Sequence, residues 1–318
     1  MLYYTGCQKE AQELTFEEYE QYNTQFKRRL IWHFGTGNGF YSELNGVLLG
    51  VLYAAQYGYQ FVMYARDANA GMPKGWEDVF RPFCPKFTMR LIGESVLIST
   101  RQNCRRNKLV NLYKMFSDDI TEDDVFWYTH TNRFATAEYD IPALGIKGDI
   151  HQAMKRIIPL VYRFNPQYRQ RINNLKAKVE MPENYIGIHI RMGDKANETD
   201  LIPPRQYIEK ALAIKNVSNT FIYTDNVHVV NELKDMYPEI TFHTLTDEKD
   251  TGYDMRRLAE MTQDERQGQL VKMFASIEIL LCSDLFVGTF SSNPGMFIGM
   301  LLGNRYAVGV DYPHWLLL

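Results

Sequence analysis

Hydrophobic and polar positions fall into short apolar runs separated by helical patterns. Leu30-Ile31-Trp32-His33-Phe34 predicts a strand, and the tight loop Gly35-Thr36-Gly37-Asn38-Gly39 follows it. Phe40 to Tyr57 reads as a mainly apolar helix closed near Gly58, and Gln60-Phe61-Val62-Met63-Tyr64 as a second strand. Strand, helix and strand at this spacing make a βαβ unit and imply a parallel sheet. Residues 66–145 are less sharply patterned. Within them Gly75-Trp76-Glu77-Asp78-Val79-Phe80-Arg81 predicts a short helix stopped by Pro82. Asp149 to Lys178 predicts one or two helices, interrupted near Asn165-Pro166.

The second half repeats the alternation more cleanly. Strand-like runs occur at Tyr185–Ile190, Thr220–Tyr223, Ile240–Thr244 and Leu285–Phe290, with Tyr306–Val310 as a fifth candidate. Between them lie helical patterns at Arg205–Lys215, Val227–Tyr237 and Gln267–Leu281. This is the signature of a doubly wound sheet. The expectation is an α/β protein of two Rossmann-like domains facing across a cleft, an N-terminal one over 1–175 and a C-terminal one over 176–318.

Composition adds mainly exclusions. The 318 residues are 45% hydrophobic and 23% charged, as in a folded globular protein. A net charge of -3 gives no basic field for nucleic acid. Cys7, Cys84, Cys104 and Cys282 lack Cys-x-x-Cys spacing, which points to a reducing compartment and away from a metal cluster. The first residues do not read as a signal peptide. No apolar run reaches the ~18–20 residues needed to span a bilayer. The terminal Trp315-Leu316-Leu317-Leu318 is expected to pack back onto the body rather than onto a membrane.

Candidate chemistry gathers at strand ends. In Ile186-Gly187-Ile188-His189-Ile190-Arg191-Met192-Gly193-Asp194-Lys195 a buried strand ends in ionisable side chains. Ligands of α/β sheets lie beyond the carboxyl ends of strands. There the planar fork of an Arg and the point charge of a Lys suit a phosphate. A second constellation, Thr289-Phe290-Ser291-Ser292-Asn293-Pro294-Gly295, leads into the apolar run Met296 to Leu302. Asn293 suits an N-cap and Pro294 a first helical turn. Backbone N–H groups and the helix dipole at such a turn favour an anion, and Thr289, Ser291 and Ser292 add hydroxyls. The two constellations together predict a diphosphate cradle. A third strand end, Tyr223-Thr224-Asp225-Asn226, either bonds a ribose or base or caps the next helix. The glycine loop is either a close-packing turn or a ligand contact. It is an incomplete dinucleotide fingerprint.

These residues resemble the α1,6-fucosyltransferases of the core-fucosylating and nodulation types. Ile188-His189-Ile190-Arg191-Met192-Gly193-Asp194-Lys195 is similar to the family's His-x-Arg-Arg-x-Asp-Lys. Thr289-Phe290-Ser291-Ser292 is similar to its Thr-Phe-Ser-Ser, and Tyr223-Thr224-Asp225 to its strand-end Thr-Asp. Gly37-Asn38-Gly39-Phe40 with Leu44-Asn45 resembles its glycine-rich loop. Gly75-Trp76-Glu77-Asp78-Val79-Phe80-Arg81-Pro82 resembles its Gly-Trp-Glu-x-Val-Phe-Arg-Pro. The likeness runs in order over roughly residues 30–302.

The resemblance implies a GT-B-like fold and metal-independent, inverting transfer of L-fucose from GDP-fucose to a glycan or lipid-linked oligosaccharide. No cofactor is implied. Arg191 would hold the β-phosphate, with Lys195 a further catalytic cation. His189, Asp194, Asp225 and Thr289 would line the donor site. Ser291 and Ser292 would bind the diphosphate, and Glu198 would be the base. Gly37, Asn38 and Gly39 would lie on the acceptor side. Two positions depart from the pattern. Met192 replaces the family's second Arg. Ser276, with Glu278 nearby, stands where the family carries an Asp that reads guanine. Another nucleotide-sugar donor, or a non-catalytic glycan- or nucleotide-binding module, are the rival readings. A cytoplasmic enzyme, peripheral at the inner membrane, fits the resemblance.

Overall fold

The computed structural model describes residues 14–35, 38–65, 68, 72, 75–87, 114–193, 201–216, 218–252 and 260–315. They form two compact α/β units that part between Asn165 and Pro166. The sequence places that boundary at 175. The helix Pro166–Lys176 belongs instead with the C-terminal unit, because its cations meet a buried carboxylate there. Arg169 Nη1 lies 2.5 Å from Glu278 Oε1, and Lys176 Nζ lies 3.0 Å from Glu278 Oε2.

The N-terminal unit begins with α1 (Phe16–Thr24), held by a capping box between Thr15 and Glu18. β1 (Arg29–His33), α2 (Phe40–Tyr57) and β2 (Gln60–Tyr64) are the predicted βαβ unit. β1 pairs in parallel with β2 and with β3 (Ile120–Thr121), in the order β2-β1-β3. α2 is buried along most of its length and packs on β1 so closely that a Cβ at Gly50 would stand 2.4 Å from the Trp32 ring. Gly58 ends it in the left-handed region, at φ 72°, where glycine carries no steric penalty. The helix predicted at 75–81 is only a 3-10 turn, Trp76–Asp78. The chain leaves it because the Arg81 N–H donates to the Arg163 carbonyl and Pro82 has no N–H to give. Trp76 stacks on Phe80 at 4.3 Å and meets Phe34 edge-on at 5.2 Å. α3 (Glu122–Thr129), α4 (Asn132–Ala135), the antiparallel pair β4 (Tyr139–Ile141) and β5 (Ile146–Gly148), and α5 (Ile150–Val161) complete the unit.

The C-terminal unit starts with α6 (Pro166–Lys176). It continues through β6 (Ile186–Ile190), α7 (Pro204–Leu212), β7 (Asn219–Thr224), α8 (Val227–Met236) and β8 (Thr241–Thr244). α9 (Gln263–Leu281), β9 (Leu285–Gly288), α10 (Asn293–Leu302) and β10 (Ala307–Gly309) follow. α9 starts before the expected Gln267 because Thr262 and Glu265 form a capping box. The five strands are all parallel, in the order β10-β9-β6-β7-β8. Ile186, Ile188 and Ile190 of β6 bury against Tyr207, Ile208, Val230 and Leu233 from the helices. The α/β class expected from the sequence, with a parallel sheet in each unit, is the one observed.

Among the described residues no helix is long and apolar enough to cross a membrane. Trp315 packs back as expected, its indole N–H donating to the Met296 carbonyl at 2.8 Å.

Candidate functional site

Counted along the unit, the C-terminal strands lie in the order fifth, fourth, first, second, third. The winding reverses between β6 and β9. In an open α/β sheet that reversal leaves a crevice at the strands' carboxyl ends, and ligands bind there. β6 delivers His189 and Arg191 to one side of it, and β9 delivers Thr289 to Ser292 to the other.

On the β6 side Arg191 turns toward the next strand. Its Nη1 lies 3.2 Å from Asp225 Oδ2, while Asp225 Oδ1 accepts the Met192 N–H at 2.9 Å. Asp225 therefore fixes both the chain and the guanidinium where β6 ends. Asn226, not Asp225, caps α8, accepting the His228 N–H at 3.0 Å. His189 is buried and stacks on Tyr223, its partner on β7, at 5.1 Å and 18°. Burial first, and then the Arg191 charge, push its imidazole down to about 4, so the ring is neutral at physiological pH. Its Nδ1 is buried and makes no hydrogen bond within the chain.

On the β9 side the N-cap is Ser292 rather than the expected Asn293. Asn293 and Pro294 occupy the first turn, and Ser292 Oγ accepts the Gly295 N–H at 3.3 Å. The same hydroxyl donates to the Thr289 carbonyl at 2.8 Å, so Ser292 is engaged in the turn itself. Thr289 Oγ1 is buried without a hydrogen-bond partner. The expectation that the turn's backbone amides await an anion meets a residue the sequence did not single out. Asp311, just past β10, accepts the Phe290 and Ser291 N–H groups, each at 2.8 Å.

Ser276 does not join this edge. It is 1% exposed on α9, and its hydroxyl donates to the Lys272 carbonyl one turn back at 2.9 Å. Glu278 is taken by Arg169 and Lys176. Asp194, Lys195 and Glu198 lie outside the described residues, as does Gly37. Asn38 and Gly39 sit in the N-terminal unit, after β1. There Glu43 of α2 accepts the Gly35 N–H at 2.5 Å and the Asn38 N–H at 3.1 Å. The Gly35 and Asn38 amides are thus engaged by a carboxylate of their own chain, while a Cβ on the exposed Gly39 would meet nothing within 4 Å. Near the carboxyl end of β2 a pocket lined by Tyr64, Trp76, Glu77, Phe83 and Lys86 was not foreseen from the sequence. Among the described residues no group of three His, Cys, Asp or Glu is placed to hold a metal ion.

By sequence the chain matches no described protein family and no curated protein. By structure it is similar to NodZ α1,6-fucosyltransferase soaked with GDP-fucose, with a TM-score of 0.52 and 14% identity over 86% of this chain and 93% of that one. It is likewise similar to fucosyltransferase NodZ from Bradyrhizobium, with a TM-score of 0.53 and 13% identity over 89% and 94%. NodZ α1,6-fucosyltransferase co-crystallized with GDP gives 0.51 and 15% over 86% and 92%. The chain has the fold of these fucosyltransferases, as the motif resemblance implies.

Proposed function

We propose that this protein is a glycosyltransferase that moves L-fucose from GDP-fucose to a hydroxyl of a glycan or lipid-linked oligosaccharide, inverting the anomeric carbon. The observation that carries the reading is the pair of buried, unpartnered polar atoms at the sheet's switch point, His189 Nδ1 and Thr289 Oγ1. A buried polar atom without a partner costs ~1–3 kcal/mol, and a ligand that bonds it recovers that cost. The two residues stand at the carboxyl ends of the adjacent strands β6 and β9, the edge at which ligands bind in folds of this kind.

In this reading the acceptor oxygen attacks the anomeric carbon as the bond from that carbon to the β-phosphate oxygen breaks. Glu198 takes the acceptor proton and GDP departs with the bonding pair. Arg191 and Lys195 meet the growing negative charge in place of a divalent cation, and Asp194 lines the donor site. Arg191 suits the task because its planar guanidinium fork matches the oxygens of a phosphate. Thr289 and Ser291 bond the diphosphate from the β9 side.

Calorimetry with GDP, UDP, CDP and ADP tests the reading. GDP is expected to bind at least tenfold more tightly than the others, roughly 1.4 kcal/mol. Another nucleotide diphosphate in first place would favour the same scaffold with a different donor, which the burial of Ser276 makes the second reading. Nucleotide binding without donor hydrolysis or transfer to any acceptor would mark a binding module. Binding of none of the four would sink the proposal.

A further inference from the structure

Asp311 follows β10, the strand outside β9, and its carboxylate spans the turn that closes β9. Oδ1 accepts the Phe290 N–H and Oδ2 the Ser291 N–H, each at 2.8 Å, and Oδ1 also accepts the Tyr312 N–H at 2.9 Å. The approach is built into the chain. The Val310 N–H donates to the Gly288 carbonyl at 2.9 Å. A Cβ on Gly309 would stand 2.3 Å from the Tyr312 carbonyl oxygen, and one on Gly295 would stand 1.9 Å from that of Thr289. Trp315 pins the far end of the same strap, with its indole on Met296 and its backbone N–H on Asn304 Oδ1 at 2.8 Å. Successive amides at a strand-to-helix turn make a ready-made site for an anion. Here the chain supplies one.

We propose that Asp311 is a positioning residue of the nucleotide-sugar site. It holds the Phe290 and Ser291 amides so that the turn meets a diphosphate through the side chains of Thr289 and Ser291, not through its backbone. The inference rests on the donor reading above and deepens it. Two anions cannot share the same pair of amides without strong repulsion. While Asp311 is in place, phosphate must find its donors elsewhere. Thr289 Oγ1, buried and unpartnered, is one such group, and Arg191 on the other side of the switch point supplies the positive charge. The rival mechanism is displacement, in which phosphate evicts Asp311 and takes the amides.

The test uses the full chain, with GDP as the probe, in wild type, Asp311→Asn and Asp311→Ala. Hydrogen-bond couplings between phosphorus and the Phe290 and Ser291 amides are sought by NMR with GDP bound, alongside calorimetry and donor kinetics. None is expected, because Asp311 keeps both amides. Asp311→Ala should weaken GDP about tenfold and raise the donor KM by a similar factor, with kcat changed much less. Asp311→Asn, which keeps one acceptor oxygen, should fall between. Tighter or unchanged GDP binding in Asp311→Ala, or amide-to-phosphorus couplings at these residues in wild type, overturns the inference and leaves the donor reading intact. If Asp311→Ala does not fold, the wild-type couplings and the Asn variant decide the matter. Failure of wild type to bind GDP at all overturns both.

Discussion

Arg191 and Asp225, from neighbouring parallel strands, form a 3.2 Å ion pair at the carboxyl edge of the C-terminal sheet. The pair is only partly shielded, with Arg191 24% and Asp225 13% exposed. Its value for stability is accordingly modest, and its consequence is placement. Asp225 also holds the Met192 amide, so the guanidinium and the loop that follows it share one anchor.

Replacing Arg191 therefore tests chemistry more than folding. Arg191→Ala should nearly abolish fucosyl transfer while shifting the unfolding midpoint little. Arg191→Lys should rescue poorly, since a point charge does not reproduce a planar fork aimed at both a carboxylate and a phosphate. Asp225→Asn should weaken GDP binding less than Arg191→Ala does. Wild-type turnover in the Lys variant would remove Arg191 from the phosphate. Full activity is expected in EDTA, and a loss restored by Mg²⁺ would show that a cation does the work assigned here to Arg191 and Lys195.

His189 gives the fold a pH dependence whose sign is fixed. In the folded chain its imidazole titrates at about 4, against an ordinary value near 6.5. Above pH 6.5 both states are neutral and its contribution is fully present. Between 6.5 and 4 the unfolded chain takes up a proton that the folded chain refuses, so stability falls as the pH falls; below about 4 the loss levels off. The depression corresponds to roughly 3 kcal/mol at most. Denaturant unfolding of wild type and His189→Gln at pH 7 and pH 4.5 should show the larger acid loss in wild type. An imidazole signal titrating near 6.5 in the folded protein would contradict this.

Much of the framework was legible because punctuation and periodicity agree. α2 spans Phe40–Tyr57 as read from the sequence, since Gly39 and Gly58 flank an unbroken apolar pattern. β2 and the alternation after residue 185 were legible for the same reason. The two self-supplied anions were not. Asp311 reaches amides 20 and 21 residues back, across a strand pairing that no local pattern encodes. Glu43 looks like an ordinary first-turn carboxylate of α2 until the Gly35 and Asn38 amides are seen to donate to it. The motifs mark the strand ends that meet at the switch point. The residues that occupy the amides there come from elsewhere in the chain.

Glu198 is the base in the proposed reaction on the strength of its place shortly after Asp194 and Lys195. A general base typically contributes ~10²–10⁴ in rate. Glu198→Gln keeps the shape and removes the basicity, so acceptor-dependent turnover should fall about 100-fold or more while GDP affinity changes little. Activity retained in Glu198→Gln but lost in Asp200→Asn would move the role to Asp200. If both retain activity, the base belongs to another carboxylate.

Glu43 holds two amides of the glycine loop. It is 8% exposed, and its carboxylate takes the Gly35 and Asn38 amides. Hydrogen bonds to a charged group are worth ~1.5–3 kcal/mol each, and removing the carboxylate leaves amide donors without it in a tight loop. Glu43→Ala should therefore destabilise the N-terminal unit by about 2 kcal/mol or more. GDP affinity should stay close to wild type, because the proposed donor groups all lie in the C-terminal unit. The two effects separate cleanly in a thermal scan followed by calorimetry on the folded variant. A Glu43→Ala protein that keeps its melting temperature but loses GDP binding would return the glycine loop to the nucleotide site. So would one that gains affinity for inorganic phosphate at the vacated amides and loses GDP in competition with it.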